Sequence, residues 1–208
     1  MYCRLKRIID FVFSLACIVA LSPILVFLAL WIKLDSHGPI FFTQKRIGLH
    51  KKHFNIYKFR TMSMHTPKDT PTHLLADPNR YITKAGAFLR RSSLDELPQV
   101  LNILKGEMSI IGPRPALWNQ YDLIAERDKY GANDIRPGLT GWAQINGRDE
   151  LPITVKAKFD GEYVLRMSFL FDCKCFIGTL RCVFAKDGFC EGASSCEATS
   201  KRKQEGNA

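Results

Sequence analysis

Acidic residues are few compared with basic ones in this sequence. The chain has 20 Asp and Glu against 30 Lys and Arg in 208 residues, which gives a formal net charge of +10. Such a surplus predicts an anionic partner: nucleic acid, a phosphorylated small molecule or an acidic membrane surface. The sequence also lacks a Walker A loop, and no Gly-x-Gly-x-x-Gly follows a predicted strand. These absences exclude the common nucleotide-binding folds that depend on those loops.

Cysteine pairs with the Cys-x-x-Cys spacing of a zinc site are absent as well, and the chain has no internal repeats. The seven cysteines are an odd number. Cys173, Cys175 and Cys182 lie in an apolar stretch and have no obvious partner in Cys3 or Cys17. We therefore expect free thiols in a reducing compartment. The hydrophobic content of 46% suffices for the core of one domain with an appendage.

One long apolar run covers residues 8–32 and is interrupted by Asp10 and by Ser22-Pro23. At roughly 24 residues it is long enough to span a membrane. A cleaved signal peptide is disfavoured, because the run is long and no small-x-small cleavage site precedes the polar region. We therefore predict that residues 1–34 form a membrane anchor.

Basic residues lie on both sides of this run, although Lys and Arg normally mark the cytoplasmic end alone. A proline in the middle removes a helical hydrogen bond and bends the helix. We therefore predict a re-entrant helix-break-helix hairpin that turns at Ser22 and Pro23 and keeps both ends in the cytoplasm. A bitopic span with a mild proline kink is the alternative. The flanking basic residues are Arg4, Lys6, Arg7, Lys33, Lys45, Arg46, Lys51 and Lys52.

Residues 35–187 show the pattern of a cytoplasmic α+β domain that is mostly helical. Short strands are predicted at 40–44, 54–59 and 108–111, and helices at 81–91, 96–104, 116–133 and 155–165. Residues 168–185 are apolar and aromatic, and they predict either an interfacial membrane helix or a buried core helix. Gly, Ser, Glu and Lys dominate residues 188–208, which predicts a disordered tail.

Two adjacent carboxylates, Asp95 and Glu96, follow the arginines Arg90 and Arg91 at the start of a predicted helix. We expect Asp95 to be the N-cap of this helix. An anion brought there would meet the guanidinium groups and the helix end together. The spacing Ser93-x-x-Glu96 also fits a capping box, which would make these residues purely structural.

Another arginine, Arg114, lies between Pro113 and Pro115, and two prolines restrict the backbone on either side of it. Such a turn can hold a guanidinium group rigidly for a phosphate, although a rigid surface turn is the alternative. Residues 135–148 hold three glycines and two arginines, which is typical of a loop whose backbone approaches a ligand closely.

A membrane anchor, a basic face, a carboxylate pair and turn-fixed arginines together predict phosphoryl chemistry at a membrane surface. A carboxylate can attack phosphorus as a nucleophile. Adjacent carboxylates can hold Mg2+, which neutralises substrate phosphates. Arginines can then stabilise the charged transition state.

At these residues the sequence resembles the small monotopic phosphoglycosyl transferases, a bacterial sugar transferase family that initiates glycoprotein, capsule and exopolysaccharide assembly. The resemblance covers about residues 3–187 and consists of many motifs in family order and at family-like spacing. The matching segments are Arg7-Ile8-Ile9-Asp10, Ser22-Pro23, Gly38-Pro39-Ile40-Phe41-Phe42, Tyr57-Lys58-Phe59-Arg60-Thr61-Met62, 89–99, 105–109, 111–115, 136–141 and Asn146-Gly147-Arg148.

The resemblance implies transfer of a sugar 1-phosphate from a UDP-sugar to undecaprenyl phosphate (a polyprenol phosphate), with release of UMP. Asp95 matches the family nucleophile, which would carry the phosphosugar covalently. Glu96 matches the second member of the dyad, which acts in Mg2+ binding or as a general base. The resemblance thus names Mg2+ as the cofactor and places Asp95 and Glu96 at the metal.

The remaining motifs match binding positions of the same family. Pro113-Arg114-Pro115 matches the motif that lines the nucleotide site, and Arg90, Arg148 and Lys58 match phosphate-contacting positions. Ser22-Pro23 matches the break of the re-entrant helix. The resemblance therefore implies a monotopic protein on the cytoplasmic face of the bacterial inner membrane, in contact with phospholipids.

The sequence leaves the sugar, the glycan pathway and the oligomeric state open, with a homodimer among the options. The candidate sugars are N-acetylated hexosamines, their modified dideoxy relatives, galactose and glucose. Two other functions fit the composition: a non-catalytic membrane scaffold for glycan assembly, and a membrane-anchored nucleic-acid-binding protein. We expect no nucleic acid partner, because no recognised binding motif accompanies the basic residues.

Overall fold

A computed structural model describes residues 2–66, 78–147 and 151–184 of the chain. These residues form α helices and a few short strands, as the predicted mostly helical α+β class requires. The helices are α1 (Tyr2–Asp35), α2 (Lys84–Arg91), α3 (Val100–Lys105), α4 (Tyr121–Asp128), α5 (Trp142–Ile145), α6 (Ile153–Arg166) and α7 (Phe169–Phe184), and the strands are β1 (Phe41–Ile47), β2 (His53–Phe59), β3 (Ser109–Ile111) and β4 (Gly138–Thr140). The predicted tail, 188–208, lies outside the described residues.

The apolar run forms a single helix, α1, whose helical structure continues through Ser22 and Pro23. The prediction of two separate halves is therefore corrected to one helix. Pro23 has no N–H to donate to the carbonyl of Val19, four residues earlier. The Ser22 hydroxyl donates to that same carbonyl at 2.9 Å and replaces the missing bond. A re-entrant path with a bend inside α1 stays a prediction.

The surface of α1 suits a membrane. Within the described ranges it is the one helix long and apolar enough to cross a bilayer. The mean hydropathy of its most apolar 18-residue window is 2.7, and only 11% of that window is buried. Large apolar side chains are exposed along it, among them Phe11, Val19 and Phe27. This face is available to lipid.

Both ends of α1 contact the same domain. At the N-terminal end, Tyr2 and Lys6 donate to the Asp172 carboxylate of α7. At the C-terminal end, the Asp35 carboxylate accepts from the backbone N–H of Ala85, the second residue of α2, at 3.0 Å. The helix is thus held against the domain at two distant points.

The two sheets are small. β1 and β2 form an antiparallel hairpin, which pairs Phe41 with Phe59 and Ile47 with His53. β3 and β4 pair in parallel. The predicted strands at 40–44, 54–59 and 108–111 are confirmed with shifted ends. The predicted helix 96–104 is instead a 3-10 helix, Leu94–Gln99, followed by α3.

α7 is partly buried, and an interfacial membrane position for it stays a prediction. Phe171, Asp172 and Cys175 are buried against the domain, whereas Leu170 and Ile177 on its other side are 79% and 51% exposed. One face therefore packs in the core, and an apolar face lies at the surface. The described cysteines are free thiols, as expected.

Candidate active site

The carboxylate pair lies on the 3-10 helix Leu94–Gln99. Leu94 and Leu97 of this helix pack against an apolar cluster that includes Leu28 and Ile32 of α1. The expected capping roles are wrong. The N-cap is Ser93 with φ 57, and it makes no side-chain capping bond. The Glu96 side chain turns to cations from other elements, so neither an Asp95 cap nor a Ser93–Glu96 capping box forms.

Lys58 of β2 provides the first of these cations. Its ammonium group lies 2.6 Å from Oε1 of Glu96 and 3.9 Å from Oδ2 of Asp95. All three side chains are largely shielded, with exposures between 14% and 22%. This shielding makes the ion pairs stronger than they would be at an open surface.

Arg114 provides the second cation, with Nη2 at 3.3 Å from Oε1 of Glu96. The turn that carries it is fixed by hydrogen bonds to the backbone carbonyls of both prolines. The N–H of Gly138 donates to the carbonyl of Pro113 at 2.8 Å, and Arg46 donates to the carbonyl of Pro115 at 3.1 Å. The backbone of the turn is thus held at both prolines, and rigid presentation of the guanidinium group stays a prediction.

Arg90 approaches from α2 and donates through Nε to the Thr61 hydroxyl at 2.9 Å. α2 can lie this close to the end of the hairpin because it has a glycine at the contact. A Cβ at Gly86 would overlap the carbonyl of Thr61. Burial raises the pKa of the Asp95 carboxyl, and the guanidinium group is near enough to oppose part of that rise.

The two carboxyl groups differ in their pKa values. Burial raises the pKa of Asp95 above its usual range, and the attraction of Lys58 only partly opposes this. Burial would also raise the pKa of Glu96, but Lys58 and Arg114 outweigh it and lower that pKa to about 2. Adjacent acids whose pKa values are pushed apart are typical of catalytic pairs with divided roles.

The pair also fits the expected Mg2+. Lys58 and Arg114 both donate to Oε1 of Glu96. Mg2+ commonly uses one or two carboxylates and completes its shell with water and substrate phosphate. In the described part of the chain no group of three or more His, Cys, Asp or Glu forms a dedicated cage. The donor set therefore suits a metal shared with a phosphate substrate.

Most of the predicted site residues converge. Asp95, Glu96, Lys58, Arg90 and Arg114 meet around the dyad, and Pro113 and Pro115 flank the last of these. Arg148 lies outside the described residues, so its predicted role is untested. Ser22 and Pro23 lie within α1, where the Ser22 hydroxyl replaces the hydrogen bond that Pro23 cannot donate.

Sequence reasoning missed Asn102, which is completely buried in α3. Its side chain accepts from the N–H of Tyr57 at 3.0 Å and donates to the carbonyl of Asn55 at 2.8 Å and to Glu107 at 2.7 Å. These bonds fix α3 to β2 and so fix Lys58 relative to the dyad. The available signal was a single amide among the apolar residues 100–104.

Comparison with known proteins shows the family of this chain. The family described as bacterial sugar transferase matches residues 1–186. The uncharacterized sugar transferase EpsL of Bacillus subtilis is 41% identical over 184 residues, which cover 88% of this chain and 89% of EpsL. A UDP-glucose:undecaprenyl-phosphate glucose-1-phosphate transferase of Escherichia coli is 42% identical over 178 residues, which cover 82% of this chain and 38% of that protein.

A third relative is the undecaprenyl-phosphate galactose phosphotransferase of Salmonella typhimurium, 33% identical over 199 residues. The match covers 88% of this chain and 41% of that protein. The chain thus spans about two-fifths of the length of these two named transferases, whereas it spans nearly all of EpsL.

Proposed function

We propose, from the premise that this chain belongs to the bacterial sugar transferase family, that it transfers a sugar 1-phosphate from a UDP-sugar to undecaprenyl phosphate. The observation that carries the proposal is the difference between the two adjacent carboxyl groups near Lys58 and Arg114. The pKa of Asp95 is raised, whereas the pKa of Glu96 is lowered to about 2. Relatives with this reaction in their names support it.

Asp95 is the better nucleophile of the two, because the more basic carboxylate donates its electrons more readily. Its oxygen attacks the sugar-bearing phosphorus, the bond from phosphorus to the UMP oxygen breaks, and UMP leaves with the bonding electrons. The phosphosugar is then held as an acyl phosphate. An oxygen of undecaprenyl phosphate attacks the same phosphorus, and the Asp95 carboxylate leaves.

Glu96 has a different role. A carboxylate with a pKa of about 2 is too weak a base for proton abstraction near neutral pH. Of the two roles that the family resemblance leaves for this residue, its low pKa and its ion pairs with Lys58 and Arg114 support metal binding over general base. Mg2+ at the dyad would neutralise the charge of the diphosphate. Lys58 and Arg114 lie where they can bind the phosphate oxygens and stabilise charge that develops during transfer.

We also propose that α1 enters the inner membrane and returns, so that the active site faces the cytoplasm. Contacts of both helix ends with one domain, and basic residues on both flanks, support this path. In a variant that keeps only Cys3, which is exposed at the helix start, a membrane-impermeant maleimide should label inverted vesicles. Labelling of intact spheroplasts would instead place the N-terminus outside.

UMP release from a panel of UDP-sugars tests the reaction. The detergent-solubilised protein is supplied with Mg2+ and undecaprenyl phosphate, and the panel includes UDP-glucose, UDP-galactose and UDP-N-acetylhexosamines. We expect release with at least one donor, lost in Asp95→Asn while the variant stays folded. No release from any donor, or wild-type release by Asp95→Asn, would overturn the proposal.

A further inference from the structure

The motif Arg7-Ile8-Ile9-Asp10 near the start of α1 has no part in the function described so far. Its two charged residues lie on one side of the helix, three positions apart. The Arg7 guanidinium donates to the carbonyl of Ile103 and, at 2.7 Å, to the carbonyl of Leu104. Asp10, only 3% exposed, accepts from the N–H of Ile110 at 3.1 Å.

These contacts lie on either side of the short connection between α3 and β3. Ile103 and Leu104 are in the last turn of α3, where free carbonyls favour a positive charge. Ile110 is the middle residue of β3. The connection between them, residues 105–109, links the helices that begin at the dyad to the strand that leads into Pro113-Arg114-Pro115. Its geometry therefore sets where Arg114 lies relative to the dyad.

The connection is packed tightly around the motif. Gly106 has φ 83, a left-handed conformation that favours glycine. A Cβ at Gly106 would come within 3.2 Å of Nη2 of Arg7. From the other side, Nε of Arg136 donates to the carbonyl of Gly106 at 2.8 Å. The turn is thus held by contacts from α1 and from Arg136.

We propose that Arg7 and Asp10 are positioning residues for phosphoglycosyl transfer: together they clamp residues 103–110 and hold Arg114 and the dyad in register. The membrane helix is then part of the active-site scaffold as well as an anchor. The proposal rests on the proposed function for its catalytic readout. A purely anchoring role predicts instead that Arg7 is interchangeable with other basic residues at the membrane flank.

Arg4 is the matched control, because it is an exposed arginine one turn earlier on the same helix. Arg4→Ala, Arg7→Ala, Asp10→Ala and Asp10→Asn are compared in the full chain in detergent. The kcat and KM for UMP release are measured with the donor found above. Hydrogen–deuterium exchange of the 103–112 segment is measured without substrate, so it reports on the clamp independently of turnover.

Arg7→Ala and Asp10→Ala should each lower kcat by about tenfold or more, because misplacement of a reacting group by about 1 Å costs up to a hundredfold. The KM should change less than kcat, and exchange at 103–112 should rise. Asp10→Asn should recover most of the rate, because its amide oxygen still accepts from Ile110. Arg4→Ala should match the wild type in rate and exchange.

Equal rates in Arg7→Ala and Arg4→Ala would overturn the proposal, as would an Asp10→Asn variant as impaired as Asp10→Ala. If an alanine variant fails to fold, Arg7→Lys decides: it keeps the charge without the two-pronged contact, and a wild-type rate would contradict the clamp. If the wild type releases no UMP, the proposed function fails by itself. Hydrogen–deuterium exchange of residues 103–112 then tests the clamp alone. Unchanged exchange in both Arg7→Ala and Asp10→Ala refutes it.

Discussion

Replacement of Lys58 by Met should move the acid limb of the activity profile to higher pH. Burial raises the pKa of the Asp95 carboxyl, and the Lys58 ammonium group, 3.9 Å from Oδ2, opposes that rise. Two unit charges at this separation attract each other by about 1 kcal/mol in water and about 4 kcal/mol at an effective dielectric constant of 20. The site is largely shielded, so the interaction lies between these limits.

The sign of the effect follows from the role of Asp95. A nucleophilic carboxylate must be ionised, so activity falls as the pH drops through its pKa. Without Lys58 the opposition to burial is weaker and the pKa of Asp95 rises further. Even the lower limit of about 1 kcal/mol corresponds to a loss of roughly fivefold in rate on the acid limb. Loss of phosphate binding by Lys58 would add a pH-independent decrease.

The assay is kcat/KM for UMP release across the pH range, because this quantity reports ionisations of the free enzyme. Lys51→Met is the control. It removes the same charge at the far turn of the hairpin, where Lys51 pairs with Asp128 at 3.1 Å. The control should keep the wild-type profile. A Lys58→Met profile whose acid limb stays in place, or moves to lower pH, would refute the electrostatic reasoning.

Two further changes test other parts of the account. Glu96→Gln should raise the Mg2+ concentration needed for half-maximal UMP release by about tenfold or more, since metal-site substitutions typically cost 10–100-fold; an unchanged Mg2+ titration would remove this residue from the metal. Asp160→Ala should lower the free energy of unfolding by about 3–5 kcal/mol, because it leaves the buried guanidinium of Arg127, now paired at 2.6 Å, without its partner. Glu126→Ala, which breaks the surface pair with Lys129, should cost less than about 1 kcal/mol in the same denaturant titration.

Much of the fold was predictable because its signals are local. The apolar run, the two short strands at 40–44 and 54–59, and the strand before Gly112-Pro113 depend on neighbouring residues, and the structure confirms all three. The length of α1 was harder to predict. Whether Pro23 divides a helix depends on what replaces its missing bond, and here the Ser22 hydroxyl does so.

The site was predictable in its members but less so in their roles. Asp95 and Glu96 fit both a capping box and a catalytic dyad, because local sequence does not show which distant cations approach. Lys58, 38 positions before Glu96, decides between them. The contacts of Asn102 with β2, and those of Arg7 and Asp10, could not be predicted for the same reason, because these partners lie about 45 to 100 positions away.

The central claim is that Asp95 carries the phosphosugar, and trapping of that intermediate tests it most directly. The protein is mixed with the active UDP-sugar and Mg2+ in the absence of undecaprenyl phosphate, and the UMP released and the mass of the protein are measured together. The account predicts about one equivalent of UMP per protein and a phosphosugar adduct on Asp95, which disappears when undecaprenyl phosphate is added. UMP that forms only in the presence of the acceptor, with no adduct, would contradict it.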